Sequence, residues 1–111
     1  MDYIFGIDIG GTTVKLGCFS ADGHLITKWE IPTNTANGGI SILPDVARSI
    51  QTYISKEKLP HARILGAGMG VPGPVEKDGT VNKCINLGWG VLNASETLSE
   101  LLQLPVRTGN D

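Results

Sequence analysis

The stretch that decides the fold is residues 6–17, GIDIGGTTVKLG. It begins as a short apolar strand with one carboxylate, Asp8, and continues through two glycines and two threonines into a second strand. A strand whose only role is to fill a core would not carry a charged carboxylate, and a turn whose only role is to reverse the chain would not need two threonines after its glycines. The stretch therefore predicts a strand–turn–strand unit that holds a polar ligand.

Composition and charge exclude several classes of protein. The chain has 111 residues, 41% of them hydrophobic, and a net charge of −2, which fits one globular domain. Because lysine and arginine are scattered, we expect no nucleic-acid partner. No apolar run approaches the roughly 20 residues that span a bilayer, and the N-terminus does not resemble a signal peptide, so we expect no membrane partner and a cytoplasmic protein. Cys18 and Cys84 are predicted to be reduced thiols in or near the core.

Hydrophobic patterning predicts an α/β domain with a mixed sheet. Three strands joined by short turns come first, and we expect them to form an antiparallel meander. Two helices then alternate with two further strands, and residues 62–71 are apolar enough to form a strand buried on both faces. The predicted strands are 3–8, 13–20, 24–31, 62–71 and 104–108; the helices run over 42–58 and after a capping box at Asn93 and Glu96; a hairpin turns at Asp78-Gly79; and 33–39 and 85–90 are loops.

Two familiar phosphate-binding patterns do not apply to this chain. The Walker pattern requires Lys and then Ser or Thr after its second glycine, but Thr12-Thr13 follow Gly11. The G-x-G-x-x-G pattern is matched within 68–73, yet prolines flank the third glycine, where a Rossmann turn would open a helix. The Walker phosphate loop is therefore absent, and a Rossmann dinucleotide site at 68–73 is rejected.

What remains is the polar turn itself. Its glycines let backbone N–H groups approach an anion, its threonine hydroxyls add donors, and Asp8 can hold Mg²⁺ directly or through water. Lys15 is either a cationic contact or a solvated lysine, and the whole unit is either an anion-binding turn or a glycine hairpin with an exposed acid. The predicted nucleotide-binding residues are Asp8, Gly10, Gly11, Thr12, Thr13 and Lys15.

Residues 6–17 closely resemble the first phosphate-binding motif of the sugar-kinase, Hsp70 and actin superfamily. Within it, GMGVPGPV at 68–75, NLGW at 86–89 and the terminal Asn110-Asp111 resemble the ROK family, named for repressors, open reading frames and kinases. Its glucokinases and fructokinase-like members are the most similar. The resemblance spans the whole chain in order, and it implies an RNase H-like, actin-like ATPase fold in which two domains close over ATP and sugar.

The resemblance also implies roles for individual residues. Asp111 corresponds to the catalytic base, which accepts the proton of the attacking sugar hydroxyl. The glycines within 66–70 serve sugar contact, close helix packing or both, and Trp89 is expected to pack rather than to line the pocket. The implied substrate-binding residues are Gly70, Val71, Pro72, Gly73, Asn86, Asn110 and Asp111.

A typical family member is two to three times this length, so the resemblance implies that residues 1–111 are an N-terminal domain. The family's C-terminal domain, with its later sugar-contacting residues, adenosine-binding segment and zinc motif, then lies outside the chain. We expect ATP and Mg²⁺ as cofactors, a sugar as substrate, a homodimer for the full-length protein, and no measurable kinase activity from the isolated domain.

The function that the resemblance implies is ATP-dependent phosphorylation of a hexose, with glucose at its 6-hydroxyl as the first choice. One alternative is a sugar-responsive transcriptional regulator of the same family. Such regulators carry a helix-turn-helix before the first phosphate motif, which here begins a few residues after Met1. Another alternative is a nucleotide-dependent binding module, but residues 68–75 and the terminal Asn-Asp resemble sugar kinases rather than chaperones or filament ATPases.

Overall fold

A computed structural model describes residues 1–110 of the chain. The strands are β1 (Tyr3–Ile9), β2 (Thr13–Ser20), β3 (Leu25–Pro32), β4 (Ile64–Val71), β5 (Thr80–Cys84), β6 (Trp89–Asn93) and β7 (Val106–Asn110). The helices are a single turn, α1 (Ala36–Gly39), and two longer ones, α2 (Ile42–Glu57) and α3 (Ala94–Leu102), with 3₁₀ turns at His61–Arg63 and Ile85–Leu87.

Five strands form one mixed sheet in the order β3-β2-β1-β4-β7. Strands β1, β2 and β3 pair antiparallel, which confirms the predicted meander. Strand β4 pairs in parallel with β1 on one side and with β7 on the other. Because parallel strands share one direction, the carboxyl ends of β1, β4 and β7 meet at the same edge of the sheet.

The core lies between one face of this sheet and the two longer helices. Every second residue of β1, beginning with Phe5, is buried on that face. Helix α2 contributes Ile42, Val46 and Ile50 at four-residue spacing, which is the period of one helical face. Asn93 caps α3 by accepting the Glu96 N–H at 2.9 Å, as the capping box predicted.

The opposite face of the sheet, here called the open face, has no covering helix within residues 1–110. It carries Ile4, Gly6 and Asp8 of β1, Lys15, Gly17 and Phe19 of β2, and Gly68 and Gly70 of β4. The prediction that β4 is buried on both faces was therefore wrong for the described part of the chain, since Leu65 is 50% exposed and Gly68 is exposed. A run of small and apolar residues does not by itself distinguish a doubly covered strand from one that turns glycines outward.

Residues 74–93 follow the prediction in part. The turn at Asp78-Gly79 forms, and the Asp78 carboxylate accepts the Thr80 N–H at 2.9 Å, which lowers the pKa of Asp78. The predicted hairpin is present as a short antiparallel pairing, with a bridge between Val75 and Val81 and a hydrogen bond from the Asn82 N–H to the Pro74 carbonyl oxygen at 3.1 Å. The main partner of β5 is β6, which begins at Trp89 inside the segment predicted as a loop.

Three smaller points complete the comparison. The short turn α1 lies within the predicted loop 33–39, and Asn37, Gly38 and Gly39 in it have positive φ, so this segment is a loop as predicted. Strand β7 begins two residues later than predicted and continues to Asn110. Cys18 and Cys84 are buried free thiols as predicted, and burial raises the pKa of Cys18. In the part of the chain that the structure describes, every helix is too short or too polar to cross a membrane.

Candidate functional site

The candidate site lies where β1, β4 and β7 end. Asp8 of β1 is the register partner of Gly70 of β4, and Gly70 is the register partner of Gly109 of β7. Register partners point to the same face of a sheet, so all three belong to the open face. Asp8 is exposed, and Gly70 and Gly109 have no side chain, so on the β4 and β7 side of Asp8 these positions present only backbone.

The turn between β1 and β2 is closed by a hydrogen bond from the Gly10 N–H to the Thr13 carbonyl oxygen, at 3.0 Å. A Cβ built on Gly10 would lie 2.9 Å from that same oxygen, so the turn requires glycine there. Gly11 and Thr12 are exposed, and within residues 1–110 the N–H groups of these two residues have no backbone acceptor. Unpaired, outward amides of this kind are suited to binding an anion.

Lys15 places a positive charge at the rim of the turn. It is the register partner of Asp8 across β1 and β2, and of Glu30 across β2 and β3. Both Asp8 and Lys15 are exposed, and among the described residues neither takes part in an ion pair. Both side chains are therefore available to a ligand.

Asp8 fits the role of a single ligand to a hydrated magnesium ion. Mg²⁺ usually keeps several waters and takes one or two protein carboxylates, so one exposed aspartate at a strand end is a sufficient donor set. Residues 1–110 contain no group of three His, Cys, Asp or Glu side chains that could hold a metal ion by themselves.

The predicted sugar-contact residues gather at the ends of β4 and β7. Asn110 is the register partner of Val71, and its side-chain amide donates to the Gly73 carbonyl oxygen. The Cys84 thiol donates to the Pro72 carbonyl oxygen at 3.4 Å, and a Cβ on Gly73 would lie 3.4 Å from the Cβ of Cys84. The loop after β4 is thus held by side chains from two other strands.

Asn86 lies beside the β1–β2 turn. A Cβ built on Gly11 would lie 3.8 Å from the Asn86 carbonyl oxygen and 3.9 Å from the Asn86 Cβ. Asn86 is exposed. The predicted nucleotide-binding turn and the NLGW loop are therefore neighbours, although 75 residues separate Gly11 from Asn86 in the sequence.

Trp89 packs, as expected. It is 5% exposed, and its Nε1 donates to the Gly39 carbonyl oxygen at 3.1 Å. Gly39 has a φ of 69°, and a Cβ there would lie 2.2 Å from the Leu87 carbonyl oxygen. The NLGW loop is therefore fixed against α1 by a contact that needs glycine.

Sequence reasoning missed Thr33, which contacts the turn directly. Its hydroxyl donates to the Gly10 carbonyl oxygen at 2.7 Å, and its N–H donates to the Thr12 carbonyl oxygen at 2.9 Å. No local pattern marks this residue, because the contact joins positions more than twenty residues apart in the chain. Asp111, the predicted catalytic base, lies outside the described residues.

The strand order, with a polar β1–β2 turn beside the ends of three parallel strands, is that of the actin-like ATPases, the RNase H-like fold that was expected. The chain belongs to the ROK family, whose family model matches residues 4–111. The resemblance recognised in the sequence is thereby confirmed.

Among curated proteins, the chain is 36% identical over 107 residues to the glucokinase of Halalkalibacterium halodurans, a match that covers 96% of this chain and 32% of that protein. It is 29% identical over 75 residues to the glucokinase of Thermotoga maritima, covering 68% of this chain and 22% of that protein. The chain thus spans a third or less of the length of these relatives.

Solved structures share the fold. The ROK hexokinase from Thermus thermophilus superposes with a TM-score of 0.81 at 24% identity, over 97% of this chain and 35% of that one. The inorganic polyphosphate/ATP-glucomannokinase from Arthrobacter sp. strain KM superposes with a TM-score of 0.80 at 27% identity, and the match covers 100% of this chain and 45% of that chain. A ROK family transcriptional regulator, a homolog of the E. coli MLC protein, superposes with a TM-score of 0.85 at 15% identity, and the match covers 98% of this chain and 28% of that chain. Since kinases and a regulator share the fold, the function must be argued from the site.

Proposed function

We propose that this chain is the N-terminal domain of an ATP-dependent hexose kinase that converts glucose to glucose 6-phosphate. The observation that carries the proposal is that Asp8, the polar turn and the ends of β4 and β7 converge on one edge of the sheet. The identity of 36% with a glucokinase supports glucose as the first substrate to test.

In this proposal the turn binds the phosphates of ATP. The N–H groups of Gly11 and Thr12 donate to phosphate oxygens, the hydroxyls of Thr12 and Thr13 add further donors, and Lys15 offsets part of the negative charge. Mg²⁺, when bound, neutralises phosphate charge during transfer, and Asp8 is the residue that would hold it.

The sugar lies against the loop after β4. Gly70 and Pro72 are half-buried and can contact a polyol, whereas Val71 and Gly73 are buried and support the loop. Asn86 and Asn110 are exposed and offer amides that both donate and accept hydrogen bonds. Asp111 accepts the proton of the sugar hydroxyl as that oxygen attacks the terminal phosphorus of ATP. Positioning and electrostatic stabilisation then supply most of the rate enhancement, as is general for phosphoryl transfer.

A sugar-responsive regulator is the second candidate, because a ROK regulator shares the fold with a TM-score of 0.85. The two candidates differ in turnover. A coupled assay of the complete polypeptide, with common hexoses supplied one at a time, should show ADP formation that depends on added hexose and is fastest with glucose. ADP formation that no hexose increases would refute the kinase proposal and favour the regulator.

The role of Asp111 gives a separate prediction. In the complete kinase, Asp111→Asn should lower kcat by about 10²- to 10⁴-fold, the usual contribution of a general base. The KM for glucose should change far less, because an amide of the same shape still contacts the sugar. Steady-state kinetics measure both parameters, and a variant that turns over at the parental rate would contradict the assignment.

A further inference from the structure

Thr33 makes two hydrogen bonds to carbonyl oxygens of the β1–β2 turn. The hydroxyl reaches the Gly10 oxygen at 2.7 Å, and the N–H reaches the Thr12 oxygen at 2.9 Å. Thr33 follows directly after the last residue of β3, and it is half-buried. The turn between the first two strands is therefore held by the end of the third.

The end of β3 is itself well anchored. Trp29 Nε1 donates to the Ser49 hydroxyl at 2.8 Å, and the Tyr53 hydroxyl donates to Thr27 Oγ1 at 2.8 Å. The rings of Trp29 and Tyr53 stack with centroids 4.8 Å apart and planes 12° apart. Helix α2 thus holds β3 in place, and β3 in turn determines the position of Thr33.

The geometry of the peptide unit gives this contact a consequence. In a trans peptide the C=O and the following N–H point in opposite directions in one plane. Because Thr33 holds the Gly10 carbonyl toward β3, the N–H of Gly11 must point away from β3. Gly11 is an exposed residue, and its N–H has no backbone acceptor within residues 1–110.

We infer that Thr33 is a positioning residue for the nucleotide phosphates: its hydroxyl orients the Gly10–Gly11 peptide so that the Gly11 N–H faces the bound ATP. The inference rests on the proposed kinase function. Thr33 does not touch the nucleotide in this account, and it acts only through the backbone of the turn.

The test uses Thr33→Val in the complete kinase, because valine keeps the branched shape and removes the hydroxyl. The KM for ATP should rise about five- to tenfold, as for a lost hydrogen bond to a carbonyl, while the KM for glucose stays within about twofold. Thr33→Ser restores the hydroxyl and should return the KM for ATP to near the parental value. Should the valine variant fail to fold, Thr33→Ala compared with Thr33→Ser gives the same contrast.

Thr97→Val is the matched control. It removes another threonine hydroxyl that donates to a carbonyl oxygen, that of Asn93 at 2.8 Å, but it lies on α3 outside the candidate site, so it should lower thermal stability without changing the KM for ATP. The inference is overturned if Thr33→Val and Thr97→Val change the KM for ATP equally, or if Thr33→Ser does not rescue it. If the parental enzyme forms no ADP in response to any hexose, the proposed function fails first, and this inference fails with it.

Discussion

A methyl group on Gly10 would lie 2.9 Å from the Thr13 carbonyl oxygen, an acceptor that the turn already uses. At this scale the site depends as much on absent side chains as on present ones. Asp8 and Asn110 could be named as candidate site residues from the sequence, because a carboxylate and an amide are typical ligand-binding groups. Thr33 could not, because a threonine after a strand looks like any loop residue until the two segments are placed side by side.

Gly10→Ala tests whether the closed turn matters. The added methyl must push the Thr13 carbonyl away, so the complete kinase should show a KM for ATP raised more than about tenfold and a lower melting temperature. Gly90→Ala is the matched control, since a Cβ there meets nothing within 4 Å. It should leave both quantities nearly unchanged. Equal effects of the two substitutions would contradict the prediction that the turn requires glycine at position 10.

At the scale of elements, the sequence predicted the meander, α2 and the cap of α3, because each has a strong local pattern. It missed the pairing of β5 with β6. The turn at Asp78-Gly79 is a typical hairpin signal, and the glycines around Trp89 resemble a loop. The true pairing depends on Trp89 being drawn into the core, where its Nε1 reaches Gly39. The local hairpin signal at Asp78-Gly79 was confirmed, and tertiary packing gave β5 a second partner that no local pattern predicted.

Helix α2 supports the edge of the sheet through its buried face. Ile50 is fully buried, so Ile50→Ala in this chain should lower the free energy of unfolding by about 2–5 kcal/mol. Thr52→Ala, at an exposed position of the same helix, should change it by no more than about 0.5 kcal/mol. Urea denaturation followed by circular dichroism measures both. A small effect at Ile50 would mean that the core collapses around the cavity.

For the whole molecule, the open face is the most unusual feature. The Phe19 ring covers Gly6 and Gly17, where a Cβ would lie 3.0 Å from the ring, while Gly68 has nothing above it. Leu25 and Leu65 are each 50% exposed. Exposed apolar surface of this kind favours association. The motifs were enough to predict the family, whose relatives are about three times longer. They could not predict this uncovered face, because the exposure of a strand depends on which other elements cover it.

We expect the 111-residue chain on its own to self-associate through the open face and to show no hexose-dependent ADP formation. Sedimentation velocity should reveal a mean mass that rises with protein concentration. Leu25→Lys should reduce that rise, because Leu25 is the register partner of Phe19 and a lysine there places a charge on the open face, whereas Leu101→Lys, at an exposed position of α3, should not. A chain that stays monomeric at every concentration, or kinase turnover by the chain alone, would contradict this prediction.

The parallel pairing of β1 with β4 has a consequence for biosynthesis. Strand β1 leaves the ribosome first, and β2 and β3 follow at once, but β4 begins only at Ile64 and β7 at Val106. At a translation rate of roughly 5–20 residues per second, several seconds pass between the synthesis of β1 and that of β4, and during this time one edge of β1 is unpaired. The nascent hairpin that carries the Gly10 turn therefore forms early, and the ends of β4 and β7, which complete the candidate site, join it only after residues 64–110 have been translated.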